Sequence, residues 1–198
     1  MHICIKIIAY MNKIIIVSAP SGAGKTTLIN RLMQDSDLKL EFSISATTRA
    51  PRQGETDGVN YYFLPEDDFK RRISQNEFIE WQEVYAGRFY GTLNSEIDRI
   101  FNKGHNIIFD VDVEGGINLK KIFNDKALSI FIQPPSVEEL RRRLESRATD
   151  SPDEILRRVS KAEQEISRAP MFDTVVTNDI LDRAEQELKT KVTDFFNR

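Results

Sequence analysis

The chain has 198 residues, 40% of them hydrophobic, enough for one compact core or for a core carrying a small insertion. A formal net charge of -3, from 28 basic and 31 acidic residues, excludes a global attraction to nucleic acid or acidic membranes. Any anion must therefore be held by a local cluster. Cys4 is the single cysteine, which excludes an intrachain disulfide and a cysteine-built metal cluster and fits a reducing, cytoplasmic compartment.

The opening stretch from Met1 to Tyr10 is apolar, but Lys6, Asn12 and Lys13 interrupt it well before the ~20 residues that a membrane span requires. Residues 1–11 read as an extension ahead of the fold, with Met11 as an alternative start that should give a folded, active chain. Ile14-Ile15-Ile16-Val17 is short and β-branched, which predicts a parallel strand buried on both faces. It runs into Ala19-Pro20-Ser21-Gly22-Ala23-Gly24-Lys25-Thr26-Thr27, after which Leu28, Ile29 and Leu32 have helical spacing. Gly22 and Gly24 let successive backbone N–H groups converge on a polyphosphate at the positive end of the following helix. Lys25 adds a point charge, and Thr26 is placed to offer its hydroxyl to Mg²⁺, as the pattern G-x-x-x-x-G-K-[ST] requires. Ala19 stands where that pattern has its first glycine.

Leu40 to Ser45 alternates as a strand does, and Ala46 to Glu55 forms a loop rich in anion-binding groups. Within it Arg49 and Arg52 lie three apart around Pro51, so two guanidinium forks could converge on one phosphate or could both face solvent; the spacing leaves both open. Tyr61 to Leu64 predicts a strand, Pro65 opens a short amphipathic helix with Phe69 and Ile73, and Glu77 to Trp81 alternates again. Gly87 to Thr92 turns towards a helix that Asn94 or Ser95 can cap and Gly104 can end. Ile107 to Asp112 is a second buried strand, with Asp110 and Asp112 sharing a face at its end. A carboxylate there can act on the water shell of Mg²⁺; the alternative is an Asp capping the turn into Gly115-Gly116.

Leu128 to Ile132 is the third core strand. Ser136 to Glu139 and Ser151 to Glu154 are capping boxes opening two helices. Arg143 and Arg147 share a face at i, i+4, and a helical hairpin could bring Arg158 near them. Basic and acidic residues balance between 137 and 168, so a solvated face competes with an anion site. Thr174 to Thr177 is the last core strand, and after Asn178-Asp179 a closing helix places Leu181, Ala184, Leu188, Val192 and Phe195 on one side.

From residue 12 onward these segments together resemble the guanylate kinases. The matching elements are the phosphate loop, S-x-T-T-R-x-P-R-x-G-E from Ser45 to Glu55, the strand with Tyr61, E-F-x-E-W from Glu77 to Trp81, and Y-G-T from Tyr90 to Thr92. Further along come D-x-D from Asp110 to Asp112, P-P-S from Pro134 to Ser136, R-L-x-x-R-x-T-D from Arg143 to Asp150 and V-x-N-D from Val176 to Asp179. The resemblance implies an α/β fold, a P-loop NTPase three-layer core with a parallel sheet formed by 12–42, 96–136 and 159–198. To that core it adds a small mixed α+β GMP-binding insertion at 43–95 and a helical lid at 137–158. The implied reaction is ATP + GMP giving ADP + GDP. In family terms Arg49, Arg52, Tyr61 and Tyr90 hold the GMP phosphate, and Ser45, Glu80, Thr92 and Asp112 hold guanine. Residues 19–27 and Asn178 bind ATP, the latter at adenine. Lys25, Arg143, Arg147 and Arg158, with Arg49, surround the transferred phosphoryl, and Thr26 with Asp110, the latter through water, serve Mg²⁺. No tightly bound organic cofactor, nucleic acid or membrane partner is implied. Departures from the family pattern are Ala19, Glu114 for Gln, Ala148 for Gly, and one extra residue between Tyr85 and Tyr90. A protein-binding module of the same fold usually has a degraded phosphate loop, whereas Lys25 and Thr26 are intact here. A kinase acting on a phosphorylated sugar would have no use for Ser45 and Glu80.

Overall fold

The computed structural model describes residues 12–146 and 151–198, so the extension 1–11, Arg147 and Ala148 lie outside the described residues. The first half of the chain forms β1 (Ile14–Ser18), α1 (Lys25–Leu32), β2 (Leu40–Phe42), β3 (Ala46–Thr47), β4 (Tyr62–Phe63), α2 (Glu66–Ser74), β5 (Phe78–Tyr85) and β6 (Arg88–Leu93). Then follow α3 (Asn94–Phe101), β7 (Asn106–Asp110), α4 (Val113–Phe123), β8 (Ala127–Gln133) and α5 (Val137–Ser146). The chain closes with α6 (Pro152–Ile166), β9 (Thr174–Thr177) and α7 (Leu181–Phe196). Among the described residues no helix is long and apolar enough to cross a membrane.

The strands divide into two sheets, and the chain into two compact units: Glu41–Ile107 with Asn12, and Lys13–Leu40 with Ile108–Arg198. The larger sheet has the order β2-β7-β1-β8-β9, and β8 is parallel to both β1 and β9. Every residue of β1 is fully buried, as a strand of four β-branched residues ending in Ser18, with helices on both faces of its sheet, should be. Helix α4 packs on β1 and β8, while α1 packs on α7, which in turn packs on β9. Leu140 and Leu144 of α5 bury against Val159 and Ala162 of α6. Ser151 caps α6 by accepting from the Glu154 N–H at 3.3 Å, with Pro152 in the first turn, where its missing N–H costs nothing.

In the other unit the sheet order is β4-β3-β6-β5, with β3 parallel to β4 and antiparallel to β6. Its core is aromatic: Phe69 of α2 stacks on Phe78 with centroids 4.3 Å apart and meets Phe89, around Ala46 and Leu93. The carboxylates Glu66, Asp67 and Asp68 open α2 and Arg71 and Arg72 close it, each sign set against the helix dipole.

Three local expectations are corrected. Helix α3 is not capped by Asn94 or Ser95; its N-cap is Leu93, with no side-chain bond, and the Asn94 amide donates instead to the Asn76 carbonyl at 2.9 Å. Strand β7 ends at Asp110, so Asp112 does not share a strand face with it; Asp112 is the N-cap of α4 and accepts from the Gly115 N–H at 2.8 Å. Gly115 and Gly116 are accordingly not a turn but lie inside α4, where each glycine costs about 1 kcal/mol relative to alanine. Close packing explains Gly116, because a Cβ there would sit 2.3 Å from Ser18 Oγ.

Candidate active site

The loop between β1 and α1 takes the conformation its glycines permit. Gly22 and Gly24 have φ of 93° and 91°, in the left-handed region, with Ala23 fully buried between them. Alternation of this kind turns successive N–H groups to one side and makes a concavity for an anion at the start of α1. Lys25, the first residue of α1, pairs with Asp110 and donates to the Val111 carbonyl at 2.9 Å, so its ammonium is held at the carboxyl end of β7. Thr26 is exposed in the same helical turn. Ser18, fully buried at the end of β1, donates to the Asp112 carbonyl at 3.0 Å and so fixes the start of α4 beside the loop. Glu165 of α6 belongs to the same electrostatic neighbourhood: burial pushes its carboxyl up, Lys161 opposes this and Asp112 reinforces it.

In the other unit Glu80, Tyr90 and Thr92 lie on strands of the small sheet, with Ser45, Arg49, Arg52 and Tyr61 in the segments between β2 and β4. Arg49 hydrogen-bonds with Tyr90 and lies over the Tyr61 ring at 5.2 Å, and the Tyr61 and Tyr90 rings meet edge to face at 6.1 Å. Glu80 of β5 stands opposite Thr92 of β6, and the fully buried Thr92 hydroxyl donates to Glu80 Oε1 at 3.0 Å. Gln82 stands opposite Tyr90, so Glu80, Thr92 and Tyr90 share one face of the hairpin. The extra residue before Tyr90 does not disturb this, because a register shift between Glu83 and Tyr85 takes up one residue beside the turn. Gly91 is required for the close pairing: a Cβ there would meet the Glu80 carbonyl at 2.6 Å. Ser45 is half-buried at the entrance to β3, and its carbonyl accepts from the Tyr62 N–H at 2.9 Å.

The two arginines do not behave alike. Arg49 grips the Glu55 carboxylate through both terminal nitrogens, at 2.7 and 2.8 Å, and the Arg52 backbone N–H donates to the same carboxylate at 2.7 Å. The Arg49 fork and the Arg52 N–H hold the Glu55 carboxyl at about 2, and the Glu55 carboxylate in turn raises the Arg49 guanidinium. Arg52 is itself exposed, so what converges with Arg49 is its backbone and not its fork. Glu55 is a member of the site that spacing did not single out; its place three residues after Arg52 was the available signal.

A guanylate kinase family model matches residues 11–194. The chain belongs to the guanylate kinase family. It is 52% identical to a guanylate kinase of Porphyromonas gingivalis, over 93% of this chain and 98% of that protein. It is also 52% identical to one of Bacteroides fragilis, over 92% of this chain and 89% of that protein. The crystal structure of guanylate kinase from Anaplasma phagocytophilum superposes with a TM-score of 0.75 at 31% identity, covering 96% of this chain and 88% of that one.

The remaining residues expected from the guanylate kinase resemblance are placed as follows. Arg143 of α5 is held between Glu139 Oε1, at 2.8 Å, and the Asn178 carbonyl, at 3.0 Å. Arg158 is half-buried on α6, and Arg147 falls outside the described residues. Asn178 follows β9, is 6% exposed, and donates its side-chain amide to the Ala23 carbonyl of the phosphate loop at 2.7 Å. Asp110, expected to serve a metal through water, is engaged by Lys25. The departure at Glu114 is accommodated by Arg168, 3.0 Å away.

Proposed function

We propose that this chain transfers the γ-phosphoryl group of ATP to GMP, and to dGMP, giving ADP and GDP in purine nucleotide metabolism in the cytoplasm. The observation that carries the reading is the Glu80–Thr92 pair on the same hairpin face as Tyr90, which Arg49 and Tyr61 contact: a base-reading carboxylate and an anion-binding cluster in one unit. Guanine offers N1–H and N2–H₂ as adjacent donors, which a carboxylate accepts as a pair. By the family resemblance Ser45 and Asp112 would add base contacts, and the Arg52 side chain, exposed here, a phosphate contact. This pairing suits a nucleoside monophosphate, whereas a kinase acting on a phosphorylated sugar would have no use for Ser45 and Glu80.

ATP is held by residues 19–27, with its phosphates against the N–H groups of the loop and Lys25, and with Asn178 beside it. Magnesium takes oxygen ligands and commonly binds through one or two side chains plus phosphates and water, so Thr26 and Asp110 fit as its holders. Its chemistry there is charge neutralisation on the phosphates. The attacking GMP phosphate oxygen is already anionic, so no side chain has to remove a proton. A bond forms from that oxygen to the γ-phosphorus as the bond to the β–γ bridging oxygen breaks, and ADP leaves with the bonding electrons. The work left to the protein is alignment and dispersal of negative charge, for which Lys25, Arg49, Arg143, Arg147 and Arg158 are the cations.

A coupled assay for ADP tests this. Turnover should require ATP, Mg²⁺ and either GMP or dGMP, and Lys25→Ala should lower kcat by roughly 10²-fold with the fold intact. Equal turnover with AMP would remove the assignment.

A further inference from the structure

Asn178 is buried and fixed at three points. Its N–H donates to the Gln133 carbonyl at 2.8 Å, its carbonyl accepts from Arg143 Nη2 at 3.0 Å, and its side-chain Nδ2 donates to the Ala23 carbonyl at 2.7 Å. The last bond joins residues 155 apart in sequence. The Ala23–Gly24 peptide is planar and trans, so its carbonyl and the Gly24 N–H point in opposite directions. Drawing the Ala23 oxygen onto Asn178 therefore turns the Gly24 N–H to the other side of the loop. It also keeps a partly negative carbonyl from swinging towards an incoming anion, a rotation to which a peptide between glycine-permitted conformations offers little resistance. The fit is close: a Cβ on Gly24 would lie 2.3 Å from Asn178 Nδ2.

We propose that Asn178 is a positioning residue for the triphosphate: it acts through the Ala23–Gly24 peptide, holding the phosphate loop in its anion-binding form. This rests on residues 19–27 being the nucleotide cradle. It differs from a contact to adenine, because a brace on the loop serves any polyphosphate whether or not a base is attached.

Calorimetric affinities for Mg-ATP, Mg-tripolyphosphate and GMP would be measured on the parent chain, on Asn178→Ala and on Asn178→Leu, which keeps the volume without the donor. The expected result is that both variants weaken ATP and tripolyphosphate by the same factor, about tenfold, the ratio made by ~1.4 kcal/mol. GMP affinity should stay within about twofold, inside ~0.5 kcal/mol. Weakened ATP with unchanged tripolyphosphate would assign Asn178 to the base and overturn the proposal, as would no change in either. If the parent binds ATP but not tripolyphosphate, the loop does not hold phosphates on its own account and the proposal also falls. Should the parent bind neither, the nucleotide reading itself fails, a result distinct from all of these. Were both variants unfolded, the parent would decide by NMR: one Asn178 side-chain amide proton should resist exchange with and without tripolyphosphate, and free exchange would overturn the brace.

Discussion

Glu80 is where the proposed selectivity for guanine rests on a single side chain. Thr92 donates to one of its oxygens, so the carboxylate is oriented before any base arrives. Adenine presents an unprotonated N1 where guanine presents N1–H, and two lone pairs facing each other in a dry pocket cost about 1–3 kcal/mol or more. Glu80→Gln keeps the shape, removes the charge and turns one acceptor into a donor. The GMP KM should rise at least about tenfold with the ATP KM little changed, and discrimination against AMP should narrow. A GMP KM within about twofold of the parent, under ~0.5 kcal/mol, would mean that the base is read elsewhere. Residues of this kind were legible because their motifs are local: Lys25 and Thr26 follow two glycines, and Glu80 and Thr92 sit in short runs with their neighbours. Their partners were not legible. That Asn178 spends its amide on Ala23, or that Lys25 rests on Asp110, depends on chain ends of β9 and β7 brought to the loop by the sheet, and no spacing in the sequence encodes it.

Helix α3 shows the same limit at the level of an element, and a pH dependence follows from it. Its apolar spacing and its end were readable, but Glu96 in its first turn looks like any surface carboxylate. It is 1% exposed, accepting from the Ile44 N–H at 2.8 Å, the Tyr62 hydroxyl at 2.7 Å and Arg99 at 2.7 and 3.0 Å. Arg99 continues to Glu41 of β2, which Lys103 and His105 also reach, at 2.8 and 2.7 Å. One ion network thus ties β2, the residue before Ser45, and β4 to a single helix. Burial alone would raise the Glu41 carboxyl; hydrogen bonds from Lys103, His105 and Arg99 outweigh it and hold the group at about 2, against an ordinary 4.5. Between those values the unfolded chain binds the proton and the folded chain does not, so stability rises with pH across the window. It is fully present above about 4.5 and is lost as pH falls towards 2. Melting temperature measured from neutral pH down through this range should fall, and Glu41→Gln should fall less steeply because that share is gone. Parallel curves would show that the network does not bear on stability there. The use of Asp112 as a helix cap instead of a strand residue has the same origin: only Val111 and Asp112 separate β7 from α4, a boundary that a run of apolar residues and aspartates does not mark.

For the whole chain, a net charge of -3 means that two polyanionic substrates are bound against the overall field, so each must be captured by fixed local donors. The proposed donors are divided between the units: the loop of glycine N–H groups with Lys25 in Lys13–Leu40 and Ile108–Arg198, and the Arg49, Tyr61, Tyr90 and Glu80 cluster in Glu41–Ile107. The alternation of strand and helix made the parallel core readable from sequence, since buried β-branched runs such as Ile14–Val17 have few other uses. The extent of the second unit was less readable: it runs on through α3 into β7 because Glu96, Arg99 and His105 face Tyr62 and Glu41, not because of any linker. If each unit captures its own substrate, hydrogen exchange should resolve the two. GMP alone should slow amides around Ser45–Tyr62 and Glu80–Thr92; Mg-ATP alone should slow residues 19–27 and Asn178. At a ligand concentration of about 100 times Kd, segments that must release ligand to open should slow roughly 100-fold, from ~2.7 kcal/mol of linkage. Protection by GMP confined to the phosphate loop, with Glu80–Thr92 unchanged, would place the monophosphate in the wrong unit and undo the assignment of Glu41–Ile107 as its binding site.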